Sequence, residues 1–226
     1  MGKFVSVAID GPAGAGKSTM AKRVAKELGY LYVDTGAIYR TVGYHMWLMG
    51  IGPKDADGIR RCLDDVNIEI RHLDDGVQHM ILNGQDVTGE IRTPEMSRYA
   101  SGVSAQKCVR DYLLDMQRKF ARKHNVVMDG RDIGTVVLPN AQVKIFLTAS
   151  PEERAKRRFE ELTAKGEAVR YEEVLKDMKA RDKQDTERAI APLRAAPDAV
   201  KLDTSDNTIE QSVEQILSIV RRKTGW

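Results

Sequence analysis

The chain has 226 residues, 42% of them hydrophobic and 31% charged, a balance that excludes a disordered polymer and a membrane-embedded protein and suits one core with insertions. Its 36 Lys and Arg against 33 Asp and Glu leave a formal charge of +3, too small an excess to call by itself for a nucleic-acid or membrane partner. The two cysteines, Cys62 and Cys108, have neither metal-ligand nor redox spacing, and the sequence opens on a strand rather than a signal peptide, so a reducing cytoplasm is the expected home.

Residues 4–9 form an apolar alternating run. Gly11-Pro12-Ala13-Gly14-Ala15-Gly16-Lys17-Ser18 follows, then Thr19 and a segment in which Met20, Val24 and Leu28 recur every fourth position. This is the order strand, glycine loop, helix, with the pattern G-x-x-x-x-G-K-[ST]. Backbone N–H groups of such a loop and the positive end of the new helix face one hollow, which takes a polyphosphate. Lys17 is expected to reach the β- and γ-phosphates and the Ser18 hydroxyl to ligate Mg²⁺. The competing reading, an ordinary glycine turn with a solvated lysine, does not account for both flanking elements.

Gly29 ends the helix, residues 30–33 read as a short buried strand, and Asp34-Thr35-Gly36 precedes a helix over 37–47. Polar groups at the carboxyl end of a parallel strand sit where such folds bind ligands. Arg40, one turn into that helix, could hold an anion or be a solvated helix charge. Residues 66–71 alternate strictly, Asp74-Asp75-Gly76 reads as a turn, 77–82 is extended, and Asn83-Gly84 is a hairpin signal. Hairpins are foreign to a wound α/β layer, so residues 66–92 read as an inserted antiparallel module with helical flanks.

Ala105, Val109, Tyr112, Leu113, Met116 and Phe120 form an apolar helical stripe, with Arg110 and Ser101 off it. Residues 125–128 are a buried strand that ends in Asp129-Gly130-Arg131-Asp132. A carboxylate placed there can reach Mg²⁺, directly or through water, which makes Asp129 the candidate against a plain strand-ending turn. Strands are expected at 143–147 and 199–203, and a closing amphipathic helix carries Ile209, Val213, Ile216, Leu217 and Val220. Five short strands alternating with helices give a parallel sheet covered on both faces.

Between those last strands a helix opens at Glu152 and Gly166 breaks it. A second starts near Tyr171, on which Tyr171, Val174 and Met178 share a face that 3,4 stepping continues to Arg181, Asp185 and Arg188. Charges on a core-facing stripe are costly unless paired or facing a ligand; this face borders a wet cleft or is a salt-bridge ladder. Arg154, Arg157 and Arg158 are equally readable as the cationic face of a lid or as a solvated face. The four histidines show no ligand spacing and are assigned no metal or catalytic role.

The glycine loop implies a nucleoside triphosphate with Mg²⁺, and Arg40, Arg131, Arg181 and Arg188, from separate segments, suit an acceptor that carries phosphate. Asp10-Gly11-Pro12 with Gly16-Lys17-Ser18, Asp34-Thr35-Gly36-Ala37-Ile38-Tyr39-Arg40, residues 129–137, and Arg181-Asp182 followed by Asp185, Arg188 and Ala191-Pro192-Leu193 together resemble the bacterial cytidylate kinases, along nearly the whole chain. Gly14 stands where that family carries Ser or Ala, and Ser18 where some members have Gly.

The resemblance implies an α/β fold. It comprises a P-loop NTPase core of five parallel strands flanked by helices (residues 1–62, 98–150 and 171–226), an antiparallel monophosphate-binding insert (63–97) and a short helical lid (151–170). It implies ATP as donor, CMP and dCMP as acceptors, Mg²⁺ as cofactor and a monomer with no nucleic-acid or membrane partner. Arg157 and Arg158 would join the loop residues 11–19 around ATP. Ser101, Arg110, Asp132 and Arg188 would surround the cytosine, Arg40 and Arg131 would lie near the CMP phosphate, Arg181 with Asp185 near sugar and transferring phosphate, and Thr35 would be a further CMP-binding residue. Lys17, Asp129, Arg131 and Arg181 would be the catalytic set. A kinase for another small acceptor would not need the base-reading residues. A nucleotide-switched binding protein would be expected to carry an N-K-x-D stretch, which the sequence lacks.

Overall fold

β1 (Ser6–Asp10) is buried at all of its positions, as a central strand covered on both faces must be. In the computed structural model, which describes residues 4–73 and 77–225, it lies in the middle of a five-stranded sheet. The chain divides into two compact units, residues 1–32 with 121–226, and residues 33–120.

The first unit is built on β1, α1 (Lys17–Leu28), β2 (Leu31–Asp34, whose second half opens the other unit) and, after the excursion, β6 (Val126–Gly130), β7 (Val143–Thr148), α6 (Pro151–Ala164), α7 (Tyr171–Glu187), β8 (Val200–Asp203) and α8 (Ile209–Thr224). The strand order is β2-β6-β1-β7-β8. β1 is parallel to both neighbours, with Asp10 opposite Gly130 on β6 and Phe146 on β7. This register brings the carboxyl ends of β1 and β6, and the loops that leave them, to one edge. Val7, Ile9, Val127, Ile145 and Leu147 pack with Met20, Val24 and Leu28 of α1 and Ile216, Leu217 and Val220 of α8, all nearly inaccessible. The four-residue spacing on α1 is thus its buried stripe.

The second unit holds α2 (Thr35–Leu48), α3 (Ala56–Cys62), the antiparallel β3 (Ile68–His72), β4 (Gln78–Leu82) and β5 (Gln85–Asp86), α4 (Pro94–Val103) and most of α5 (Lys107–Lys123). The hairpin expected at Asn83-Gly84 forms, both residues having positive φ, 48° and 87°, as a two-residue primed turn demands. The turn expected at Asp74-Asp75-Gly76 lies outside the described residues. Caps of ordinary type start the helices: Asp34 accepts from Ala37 N–H on α2, Thr93 from Met96 N–H on α4.

Two expectations are corrected. On α5 the buried arc is Val109, Arg110, Leu113 and Gln117, and Tyr112 is 37% exposed. Arg110 enters because its polar group is satisfied: Nε donates to Ser104 O at 2.6 Å and the guanidinium lies over the Tyr39 ring. On α7 the helix stops at Glu187, so Arg188 is its cap rather than a continuation of the stripe.

Candidate active site at the carboxyl edge of the sheet

The glycine loop leaves β1 and delivers Gly16 as the residue before α1, in the left-handed region and without a side-chain cap. The first-turn N–H groups of α1, Thr19 included, are therefore left to whatever anion the loop takes. Gly14 has φ 73°, and a Cβ there would stand 3.2 Å from Met178 Cε and 3.3 Å from Arg154 Cβ. Glycine relieves both constraints at once.

Lys17 is buried, and its Nζ donates to Pro12 O at 2.6 Å. Burial, reinforced by the Arg131 charge, holds its ammonium well below the ordinary lysine value, while Asp129 pulls the other way. Ser18 Oγ donates to Asp129 Oδ2 at 2.7 Å and Tyr32 OH to Asp129 Oδ1 at 3.0 Å. Asp129, the fourth residue of β6, is 3% exposed. A hydroxyl and a carboxylate in contact beside a phosphate loop are hard oxygen donors. They fit Mg²⁺, which takes one or two protein oxygens and completes its shell from phosphate and water. Among the described residues there is no cluster of three or more His, Cys, Asp or Glu that could form a closed metal site.

Immediately after β6, Arg131 Nε donates to Asp185 Oδ2 at 2.9 Å. Arg188 Nη2 lies 3.4 Å from Asp132 Oδ1 and Arg188 Nη1 lies 3.8 Å from Asp185 Oδ1, while Arg188 Nε donates to Ala191 O at 2.8 Å. Burial pushes the Asp185 carboxyl up, but Arg131, Arg181 and Arg188 together hold it below the ordinary carboxylate value. The charged end of α7 is therefore a buried ionic network tied to the end of β6. The alternative of a solvated ladder falls, since both Arg188 and Asp185 side chains are 5% exposed.

In the second unit Arg40 Nη2 meets Asp34 Oδ2 at 3.0 Å, and Arg40 Nε is buried without a hydrogen bond. Thr35 is buried beside them at the start of α2. Ser101 on α4 accepts, through its carbonyl, from Ser104 Oγ, and Ser104 O takes the Arg110 bond.

Arg154, Arg157 and Arg158 are not a common cationic face. Arg154 is 3% exposed, forks onto both Asp182 oxygens at 3.1 and 2.7 Å and donates to Ala13 O at 2.9 Å, locking α6 and α7 to the glycine loop. Arg157 Nη2 donates to Thr204 O at 2.8 Å, and Arg158 pairs with Glu161.

Three contributors receive no role from the sequence, although Asp10 stands inside the Asp10-Gly11-Pro12 motif. Gln78 on β4 accepts from Asp34 N–H at 2.8 Å and donates to Asp34 O at 3.2 Å, fixing the strand-to-helix joint ahead of Thr35. Its signal was a polar residue in register with Met80 and Leu82 on the buried face. Tyr32 carries no signal beyond its apolar strand. Asp10 ends an apolar strand and accepts from Ile133 N–H at 2.8 Å and Gly134 N–H at 2.7 Å; burial outweighs those bonds and pushes its carboxyl up to about 7. A shallow depression of about 390 Å³ lined by Phe4, Tyr30, Leu31, Lys123 and His124 lies at the amino edge of the sheet, away from all of this chemistry.

Residues 7–222 match the sequence model of the cytidylate kinase family. A cytidylate kinase of Carboxydothermus hydrogenoformans is 52% identical over 217 residues, covering 96% of this chain and 97% of that protein. One of Caldicellulosiruptor bescii is 50% identical over 217 residues, covering 96% of each, and one of Bacillus subtilis is 46% identical over 224 residues, covering 99% of this chain and 100% of that protein. The chain belongs to the cytidylate kinase family.

Proposed function

We propose that this member of the cytidylate kinase family transfers the γ-phosphoryl group of ATP to CMP, and also to dCMP, with Mg²⁺. The observation that carries the reading is the joining, at one sheet edge, of a glycine loop bearing Lys17 and the Ser18–Asp129 pair to the Arg131, Asp132, Asp185 and Arg188 network. The first part suits a nucleoside triphosphate. The second offers an anionic acceptor more cationic groups than hydrolysis requires.

Residues 11–19 hold the donor, with Lys17 moving from the Pro12 carbonyl to the β- and γ-phosphates. Ser18 and Asp129 would hold Mg²⁺, which supplies neutralisation of the phosphate charge. Arg131 and Arg181 steady the transferring group, and Asp185 orients Arg131. Thr35, Arg40, Ser101, Arg110, Asp132 and Arg188 are the groups proposed to take the acceptor. An arginine and a carboxylate at Arg188 and Asp132 can serve the acceptor and donor edges of cytosine. No general base is required, since the attacking phosphate oxygen is already ionised near neutral pH. Arg157 and Arg158 would turn to the donor from α6. The expected setting is pyrimidine nucleotide metabolism in the cytoplasm, by a monomer; no helix among the described residues is long and apolar enough to cross a membrane.

Coupled assay of ADP formation across CMP, dCMP, UMP, AMP and GMP tests this. Preference for the cytidine nucleotides is the expected result, and turnover that ignores the acceptor base refutes it.

A further inference from the structure

Residues 133–137 form a single π-type turn directly behind Arg131 and Asp132, with Val137 N–H donating to Asp132 O and Leu138 N–H to Ile133 O. The leading N–H groups of such a turn have no acceptor within it. The residue in front, an aspartate, is of the type that ordinarily turns its own carboxylate onto them. Asp132 makes no such bond. The task falls to Asp10, on the neighbouring strand: Oδ1 takes Ile133 N–H at 2.8 Å and Oδ2 takes Gly134 N–H at 2.7 Å.

The seat is tailored to that carboxylate. The β1–β6 register sets Asp10 opposite Gly130, just ahead of the segment it caps. A Cβ at Gly134 would stand 3.3 Å from Asp10 Oδ2 and 3.2 Å from Lys144 Cδ, so any side chain there would press on the carboxylate. The Lys144 ammonium is directed to Asp198 at 2.9 Å. With the turn capped by another strand, the Asp132 carboxylate is released toward Arg188, both side chains being 5% exposed.

We infer that Asp10 is a positioning residue for the acceptor: by capping the 133–137 turn from β1 it frees Asp132 to hold Arg188, and so links the entry of the phosphate loop to the acceptor-reading groups. This rests on the proposed CMP kinase function. Both Asp10 carboxylate oxygens are engaged by the Ile133 and Gly134 backbone donors.

The test is Asp10→Asn, nearly isosteric, assayed well above the raised Asp10 value of about 7 so that the wild-type carboxyl is ionised; in the variant an amide N–H₂ must oppose one of the two backbone donors. With the cap spoiled, Asp132 competes for its own turn. The expected result is a fall of about tenfold or more in kcat/KM for CMP, the size of one lost charge-assisted hydrogen bond, while KM for ATP stays within about threefold. In a double-mutant cycle with Asp132→Asn the pair should be no worse than Asp132→Asn alone, because one residue acts through the other. Equal losses for ATP and CMP, additive losses in the cycle, or an unchanged Asp10→Asn would overturn the inference. A wild type that ignores CMP would instead defeat the function. The cap is read independently by amide exchange on the wild-type protein, where Ile133 and Gly134 should be protected; rapid exchange at both overturns the inference even if the variant fails to fold.

Discussion

Arg188→Met keeps the bulk of the side chain and removes its charge, and the structure sets its consequences in both stability and turnover. The guanidinium donates to Ala191 O at 2.8 Å and lies against Asp132 and Asp185 at 3.4 and 3.8 Å, with Asp185 buried beside it. The bond to the carbonyl is short, whereas these two carboxylate contacts are long for charge-assisted bonds. Removing the donor leaves Ala191 O and a buried carboxylate pair less well compensated, a loss of about 1.5–3 kcal/mol, partly offset because Arg131 still holds Asp185. For a chain of this size that is a drop in Tm of roughly 3–10 °C. If Arg188 and Asp132 also face the acceptor base, kcat/KM for CMP falls a further ten- to hundredfold while KM for ATP hardly moves. Melting curves and a coupled ADP assay on one variant read both. A lower Tm with unchanged CMP kinetics would make Arg188 a purely structural tie and remove it from the site.

Lys17→Met should abolish turnover without lowering the Tm of the nucleotide-free protein, since Lys17 is held in an environment that disfavours its charge; activity within about tenfold of wild type would sink the phosphate-loop mechanism. Gly14→Ala forces a left-handed alanine against Met178 and Arg154 and should cost about 1–2 kcal/mol in denaturant unfolding; an unchanged midpoint would refute the stated reason for glycine there. Asp10 gives a pH signature: its folded value near 7 lies above the ordinary 3.8, so the folded state binds the extra proton and gains stability as pH falls through 7 toward 4, by at most about 1.4 kcal/mol per pH unit. His45, depressed by burial, loses stability on falling through 6.5, so the comparison of wild type with Asp10→Asn isolates Asp10; parallel curves would contradict the assignment.

The parts legible in the sequence were those governed by local rules. Glycine spacing at 11–16, the four-residue period of Met20, Val24 and Leu28, and the Asn83-Gly84 turn each have one conformational solution, and the structure contains it. The strand that carries Asp129 was legible because an apolar run stopping in an acid has few other uses. What stayed hidden depends on partners far away in sequence. Arg110 could not be placed inside α5 without knowing that Ser104 O and the Tyr39 ring would receive it. The arginines of α6 looked alike at helical spacing, yet Arg154 is locked by Asp182 and Ala13 while Arg158 pairs locally with Glu161. Asp10 ended an apolar strand in plain sight, but its partners are backbone groups of residues 133 and 134, which leave no trace in side-chain pattern.

The charges at this edge are arranged so that the protein's own carboxylates hold the groups proposed to take the ligands. Asp185 takes Arg131, Asp132 leans on Arg188, and the exposed Ser18 rests on Asp129; the three carboxylates are themselves buried, where leaving a charge uncompensated would be expensive. Lys17 is the member without a carboxylate in hydrogen-bond contact: it leans on a carbonyl, and its charge is opposed by burial and by Arg131. On the proposed function, an arriving polyphosphate would relieve that one group most, and the arginine network would exchange internal carboxylates for ligand oxygens without fresh desolvation. Preorganisation of this kind puts the electrostatic cost into folding instead of into the reaction step. It also explains why the network is tied to rigid elements, β6 on one side and α7 on the other, with Arg154 clamping α7 back to the glycine loop.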